Sequence, residues 1–353
     1  MIRSVPPMSE KIHRVWLDCD PGHDDVTAIL LALHTPNIEL LGVSTVHGNA
    51  DAENTALNAA RALVAFDAPS HLKTYAGAAK PLLRAALYAP EIHGTDGLGG
   101  VEGLPLPTAP DVLARVAKEI PALEAMAKAV REAEGPVHLL ASGPLTNIAL
   151  FVSVYPSLLK KIEAIVFMGG GIGMGNKSPA AEFNILCDPE AAQIVLDAPV
   201  PSVMLPLNVT HQAIVNHAVQ ARLLDPSSLL EQPVPLTPLR RMLSTLINFF
   251  EETYRDVFGF LDGPPLHDAL TVAFVAHPEL FKTKRYRVDV ELSSPLTAGE
   301  TVADIYGYRK CDESWGSTGR NCLVAMELDA PKFFDYFLQA VASCDTVSPL
   351  NRP

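Results

Sequence analysis

Short apolar runs alternate with longer helix-like stretches through most of the chain. Arg14 to Asp18 reads as a buried strand ending in carboxylates, and Val26 to Leu33 as a helix stopped near Pro36. Ile38 to Val46 is a second strand, followed by an Ala-rich helix over Asn54 to Phe66. The order repeats with a strand at Val137 to Ala141, a helix at Leu145 to Tyr155 and a strand at Ile162 to Met168. Further strands are expected at Tyr286 to Leu292, Val302 to Tyr306 and Leu323 to Glu327, before a closing helix from Pro331. This alternation predicts right-handed crossovers and an α/β fold: a mostly parallel, Rossmann-like central sheet flanked by helices. With no Gly/Ser or charged linker and no repeat, one domain over residues 1–353 is expected, residues 1–13 forming a flexible extension. Ala76 to Pro110 and Gly169 to Pro179, rich in Pro and Gly, are expected to be long functional loops. Ligands of such sheets bind at the carboxyl ends of the strands, so the polar residues that follow each strand matter most.

Composition narrows the partners. The chain is 48% hydrophobic and 19% charged, too apolar for a disordered segment. Its 27 Lys and Arg against 40 Asp and Glu leave a net charge of −13, which argues against nucleic acid and against an anionic membrane surface. The longest apolar runs, such as Val26 to Leu33, are far short of a membrane span. Five scattered cysteines without a Cys-x-x-Cys pair form neither a disulfide framework nor a zinc site. Met1 to Ile12 has no apolar signal-peptide core, so a cytoplasmic protein is expected and the Asn208-Val209-Thr210 sequon is read as chance.

The densest chemistry follows the first strand, in Asp18-Cys19-Asp20-Pro21-Gly22-His23-Asp24-Asp25. Four carboxylates within eight residues repel one another unless a positive charge holds them. No Lys or Arg lies in the motif, so a hard cation with oxygen ligands, Ca²⁺ or Mg²⁺, is the natural partner. Helix capping accounts for one Asp, at about 1 kcal/mol, or for two, but not for four. An aspartyl-phosphate phosphatase wants a hydroxyl residue where Gly22 stands. Phosphate loops and a serine-hydrolase elbow are missing. Other strand ends carry Val46-His47-Gly48-Asn49, Ala141 to Asn147, and Met168-Gly169-Gly170-Gly171 leading to Asn176, Glu182 and Asn184. His267-Asp268 precedes an apolar helix. Singly, these are ordinary turn and core residues.

Together, in this order, they resemble the calcium-dependent nucleoside hydrolases, the inosine-uridine-preferring nucleoside N-ribohydrolases, from about Arg14 to the C-terminal helix. The Asp-x-Asp-Pro-Gly-x-Asp-Asp signature is highly specific, and His23 within it is most similar to the fungal uridine-preferring members. The resemblance implies one Ca²⁺ per chain, held by Asp20, Asp25, Asp268 and the backbone carbonyl of Ser142, where the family usually has Thr. It implies ribose contacts at Asp24, Asn49, Asn176, Glu182 and Asn184. His267 and His93 match residues near the leaving base, and a homodimer or homotetramer is implied.

The chemistry suits these residue types. N-glycosidic cleavage passes through an oxocarbenium-like state that carboxylates and amide oxygens stabilise. Calcium-bound water would yield its proton to Asp20 as general base. His267 or His93 would assist departure of the base. Phe250 and Tyr254 are candidates for contact with the base, and equally for plain core aromatics. A catalytically silent nucleoside-binding protein on the same fold is the alternative, disfavoured by the intact ligand set.

Overall fold

The computed structural model describes residues 11–99, 101–230, 233–249 and 251–352, and in it the predicted alternation becomes one large sheet. In chain order the strands are β1 (His13–Cys19), β2 (Ile38–Thr45), β3 (Thr74–Ala76), β4 (Val116–Ala117), β5 (Val137–Ala141) and β6 (Ile162–Met168). They continue with β7 (Ser202–Leu205), β8 (Phe281–Tyr286), β9 (Val288–Val290), β10 (Thr301–Ala303) and β11 (Cys322–Leu328). Nine strands pair in the order β4-β3-β2-β1-β5-β6-β7-β11-β8, all parallel except β8 on β11, and β9 pairs with β10 in a separate two-stranded sheet.

Side-chain alternation along the strands divides the interior in two. Val15, Leu17, Leu140 and Val166 face one core, with the helices Asp25–His34, Ala269–Ala276 and Ala330–Val347. Trp16, Leu139, Ile165 and Phe167 face the other, with Ala122–Glu132 and Thr146–Val154. The helix Asp25–His34 is buried from Asp25 through Ala32, which explains its nearly unbroken apolar sequence. Ala52–Ala65 starts where the Asp51 carboxylate accepts hydrogen bonds from the N–H groups of Glu53 and Asn54. Among the described residues no helix is long and apolar enough to cross a membrane.

The strand expected over Tyr286 to Leu292 is interrupted at Arg287. Its guanidinium, 5% exposed, donates to Asp289, to Asp197 at 3.2 Å and to the carbonyls of Gly316 and Ser317 at 3.0 Å. Anchoring that charge ends β8 and sends β9 into the second sheet. Of the Val302 to Tyr306 region only Val302 and Ala303 pair, in β10 with Thr301, and Tyr306 is exposed. The short β3, β4 and β7 carry too few residues to show a period.

Candidate active site

The carboxyl ends of β1, β2, β5 and β6 converge on a cavity of about 500 Å³. After β1, the Pro21-Gly22 turn lets Asp25 face back toward Asp20. Asp25 Oδ1 accepts from Ser142 Oγ at 2.7 Å and from the Asp20 N–H at 3.2 Å, and Oδ2 accepts from the Gly22 N–H at 3.0 Å and Asn49 Nδ2 at 3.2 Å. Asp20 Oδ2 accepts from the Asn49 N–H at 2.8 Å. Its Oδ1 is buried and has no hydrogen-bond partner among the described residues. Two glycines allow this carboxylate in: a Cβ at Gly48 would lie 2.0 Å from Oδ2, and one at Gly143 2.4 Å from Oδ1.

Asp24, Asp25 and Asp268 each bring an oxygen within 4.8 Å of the others. Asp24 and Asp268 stand at helix starts, yet neither side chain caps its helix, so capping does not explain them. Burial, then the Asp25 charge, pushes Asp24 up to about 7, and burial with neighbouring carboxylates holds Asp20 and Asp268 well above the usual range. The cation lining the cavity, Lys177, is paired with Glu91. Buried oxygens alone, one of them unpartnered, fit a hard divalent cation and would be destabilised without one.

Below this cluster Asp18 accepts from Ser44 Oγ and, at 2.8 Å, from Asn147 Nδ2, which also holds the Thr45 carbonyl. The lower tier therefore ties β1 and β2 to the start of the helix Thr146–Val154. Asp18 and Asn147 belong to quoted motifs, but nothing in the sequence distinguished them as supports.

Beside the carboxylates, Glu182 caps the short helix Phe183–Cys187. Its Oε1 accepts from the Asn184 N–H at 2.9 Å and its Oε2 from the Gly170 N–H at 2.9 Å, while burial pushes it up to about 7. Asn184 Nδ2 donates to the Ser142 carbonyl at 2.7 Å, and Asn176 Oδ1 accepts from the Phe183 N–H at 2.9 Å. Asp24, Asn49, Ser142, Asn176, Glu182, Asn184, Tyr254, His267, Asp268 and His93 all line the cavity. Asp20 and Asp25 do not line it themselves and reach it through their bonds to Asn49 and Ser142.

The opposite wall is aromatic and imidazole. Tyr254, on the helix Glu251–Phe258, meets His267 Nε2 at 2.7 Å, and His267 Nδ1 meets Thr210 Oγ1 at 2.8 Å. His93 ends the one-turn helix Pro90–His93. Burial holds both imidazoles well below the usual range, which favours their neutral forms. Ile92, Phe183, Val257 and Phe258 complete the apolar lining, and sequence reasoning did not single them out. Phe250 lies outside the described residues, whereas its neighbour Phe249 stacks on the ring of His23 at 4.4 Å and 4°.

A mostly parallel sheet with a carboxylate- and amide-rich pocket at its strand ends, walled by apolar and imidazole groups, defines a strand-end site for a ligand with a hydroxylated and a flat part. The sequence profile of the inosine-uridine preferring nucleoside hydrolases matches residues 15–335. The chain is 41% identical over 294 residues to the pyrimidine-specific ribonucleoside hydrolase RihA of Escherichia coli O1:K1 / APEC, covering 83% of this chain and 88% of that one. It is 35% identical to a probable ribonucleoside hydrolase of Dictyostelium discoideum, covering 96% of both. Among solved structures, the purine-preferring ribonucleoside hydrolase from Gardnerella vaginalis superposes with a TM-score of 0.81 at 27% identity, covering 95% of this chain and all of that one (100%). The chain belongs to the inosine-uridine preferring nucleoside hydrolase family. It is a ribonucleoside N-ribohydrolase, a glycosidase acting on an N-glycosyl bond.

Proposed function

We propose that the chain hydrolyses uridine, inosine or both to ribose and free base with one Ca²⁺ held by Asp20, Asp25, Asp268 and the Ser142 carbonyl. These four donors are all oxygens with no Cys or His among them, which supports calcium over zinc, and the structure clusters Asp25 and Asp268 together with Asp24. When bound, the cation supplies Lewis acidity toward water and the ribose hydroxyls.

Asp20 accepts the proton of the attacking water; its unpartnered Oδ1 is the observation that carries this role. Asp24, Asn49, Asn176, Glu182 and Asn184 hold the ribose, and their oxygens stabilise the oxocarbenium-like sugar as the C–N bond lengthens. On the other wall, the Tyr254 hydroxyl, backed by His267 and Thr210, donates to the departing base and keeps it from leaving as a bare anion.

Cytoplasmic nucleoside salvage is the setting we infer, supported by five free cysteines of which four are buried. A homodimer or homotetramer is part of the same reading. Incubation with uridine or inosine and Ca²⁺ should release base and reducing sugar in equal amounts, and leave a phosphate ester intact. Binding without release of sugar would favour the silent nucleoside-binding protein and overturn the assignment.

A further inference from the structure

His23 lies inside the aspartate motif but does not line the cavity; His93 does. The two rings meet Nδ1 to Nδ1 at 3.1 Å, both buried, and His23 Nε2 stands 2.9 Å from the carbonyl of Gly99. Gly22 makes the approach possible, since a Cβ there would lie 2.7 Å from His93 Nδ1. Phe249 stacks flat on His23 and fixes its plane.

A carbonyl only accepts, so His23 carries its proton on Nε2. The Nδ1 of neutral His23 is then a bare acceptor, and the proton between the two rings belongs to His93. We propose that His23 is a positioning residue that locks His93 as the Nδ1–H tautomer and leaves the Nε2 lone pair of His93 open to the cavity. No protein group among the described residues bonds that Nε2.

One contact pulls the other way: the backbone N–H of His23 lies 3.3 Å from the same His93 Nδ1 and favours a bare nitrogen there. The ring pair prevails because it is shorter, and because moving its proton to His23 Nδ1 would set the Nε2 lone pair against the Gly99 carbonyl. The two contacts make the tautomer invertible by a single substitution.

The consequence is chemical. His93 accepts a hydrogen bond from the substrate and does not protonate the leaving base. It suits a base with an imide N–H, as in uridine or inosine, over one with a bare ring nitrogen in that place, as in cytidine or adenosine. This specificity rests on the nucleoside reading above, whereas the tautomer is a property of the resting protein.

Nitrogen NMR of calcium-loaded protein labelled at histidine, with His93 assigned by its loss in His93→Asn, tests both parts. We expect a protonated Nδ1 and a bare Nε2 on His93. His23→Phe keeps the stack on Phe249 and removes both ring nitrogens, leaving the backbone N–H as the partner of His93 Nδ1. In it the proton should move to Nε2, and the uridine-to-cytidine ratio of kcat/KM should fall about fivefold, as for one hydrogen bond. A native His93 protonated on Nε2 overturns the proposal, even where the variant fails to fold, as does an unchanged tautomer in a folded His23→Phe. An inverted tautomer with an unchanged ratio overturns the specificity role. No turnover of any nucleoside, with the expected spectrum, overturns the nucleoside reading and leaves the role of His23 standing.

Discussion

The floor and the wall of the cavity are built in opposite ways. The floor is carboxylates and amides at the ends of β1, β2, β5 and β6, with Asp20, Asp25 and Glu182 held by backbone N–H groups or short polar side chains. The wall rests on a few side-chain pairs between distant segments, such as Tyr254 with His267 and His23 with His93, set among apolar residues. Val257 on that wall is 68% exposed. A rigid polar floor suits the part common to every substrate, the ribose and the attacking water. The wall, held by fewer bonds, suits the part that varies, the base.

The comparison breaks most visibly at Asp20. Asp20→Asn keeps the size and one oxygen but cannot take a proton at Oδ1, so kcat should fall about 10³-fold for every nucleoside. Initial rates near the native value would remove Asp20 as the base. One step smaller, Glu182→Gln or Asn184→Ala should each lower kcat about 10²-fold, equally for uridine and inosine. A loss confined to one of the two nucleosides would move that residue from floor to wall. Thr210→Val removes only the partner of His267 Nδ1, and a loss of about fivefold is expected, unequal between the two substrates.

The calcium dependence of stability should report on the floor. Asp18, Asp24 and Glu182 are raised to about 7 in the fold, chiefly by burial, above their unfolded values. In metal-free protein these carboxyls therefore hold more protons folded than unfolded between about pH 4 and pH 7, so their contribution to stability falls as pH rises through that window. Burial lowers His23, His47, His138 and His211 to about 4, and they contribute in the opposite sense below about pH 6.5. Bound calcium, as proposed above, would oppose the fall by stabilising the ionised carboxylates. Elemental analysis should find about one Ca²⁺ per chain. Its removal should lower Tm more at pH 8 than at pH 5, as followed by calorimetry, whereas an equal loss at both would show that the carboxylates do not hold the ion.

The same contrast decides what could be read from the chain alone. The floor is written in contiguous motifs because a strand end, a turn and a helix start place neighbours in sequence beside each other. Asp20, Asp25, Asn49, Glu182 and Asn184 were legible for that reason. The alternation that revealed β1, β2, β5 and β6 needs several consecutive residues, so the short β3, β4 and β7 were invisible. At Arg287 a local apolar run was overridden by partners as distant in sequence as Asp197. The wall depends on such long-range pairs throughout. Tyr254 was one of two aromatics to choose between, Thr210 lay inside a sequon, and Phe249 gave no signal that it stacks on His23.

The division of labour between floor and wall is tested most directly by His267→Ala assayed on uridine, inosine and p-nitrophenyl riboside. Uracil and hypoxanthine place their proton-accepting atoms differently, and nitrophenolate leaves without help. The uridine-to-inosine ratio of kcat/KM should therefore change, while p-nitrophenyl riboside is cleaved at close to the native rate. A uniform loss on all three substrates would show that His267 serves the metal site or the ribose, and would contradict the separation of the two regions.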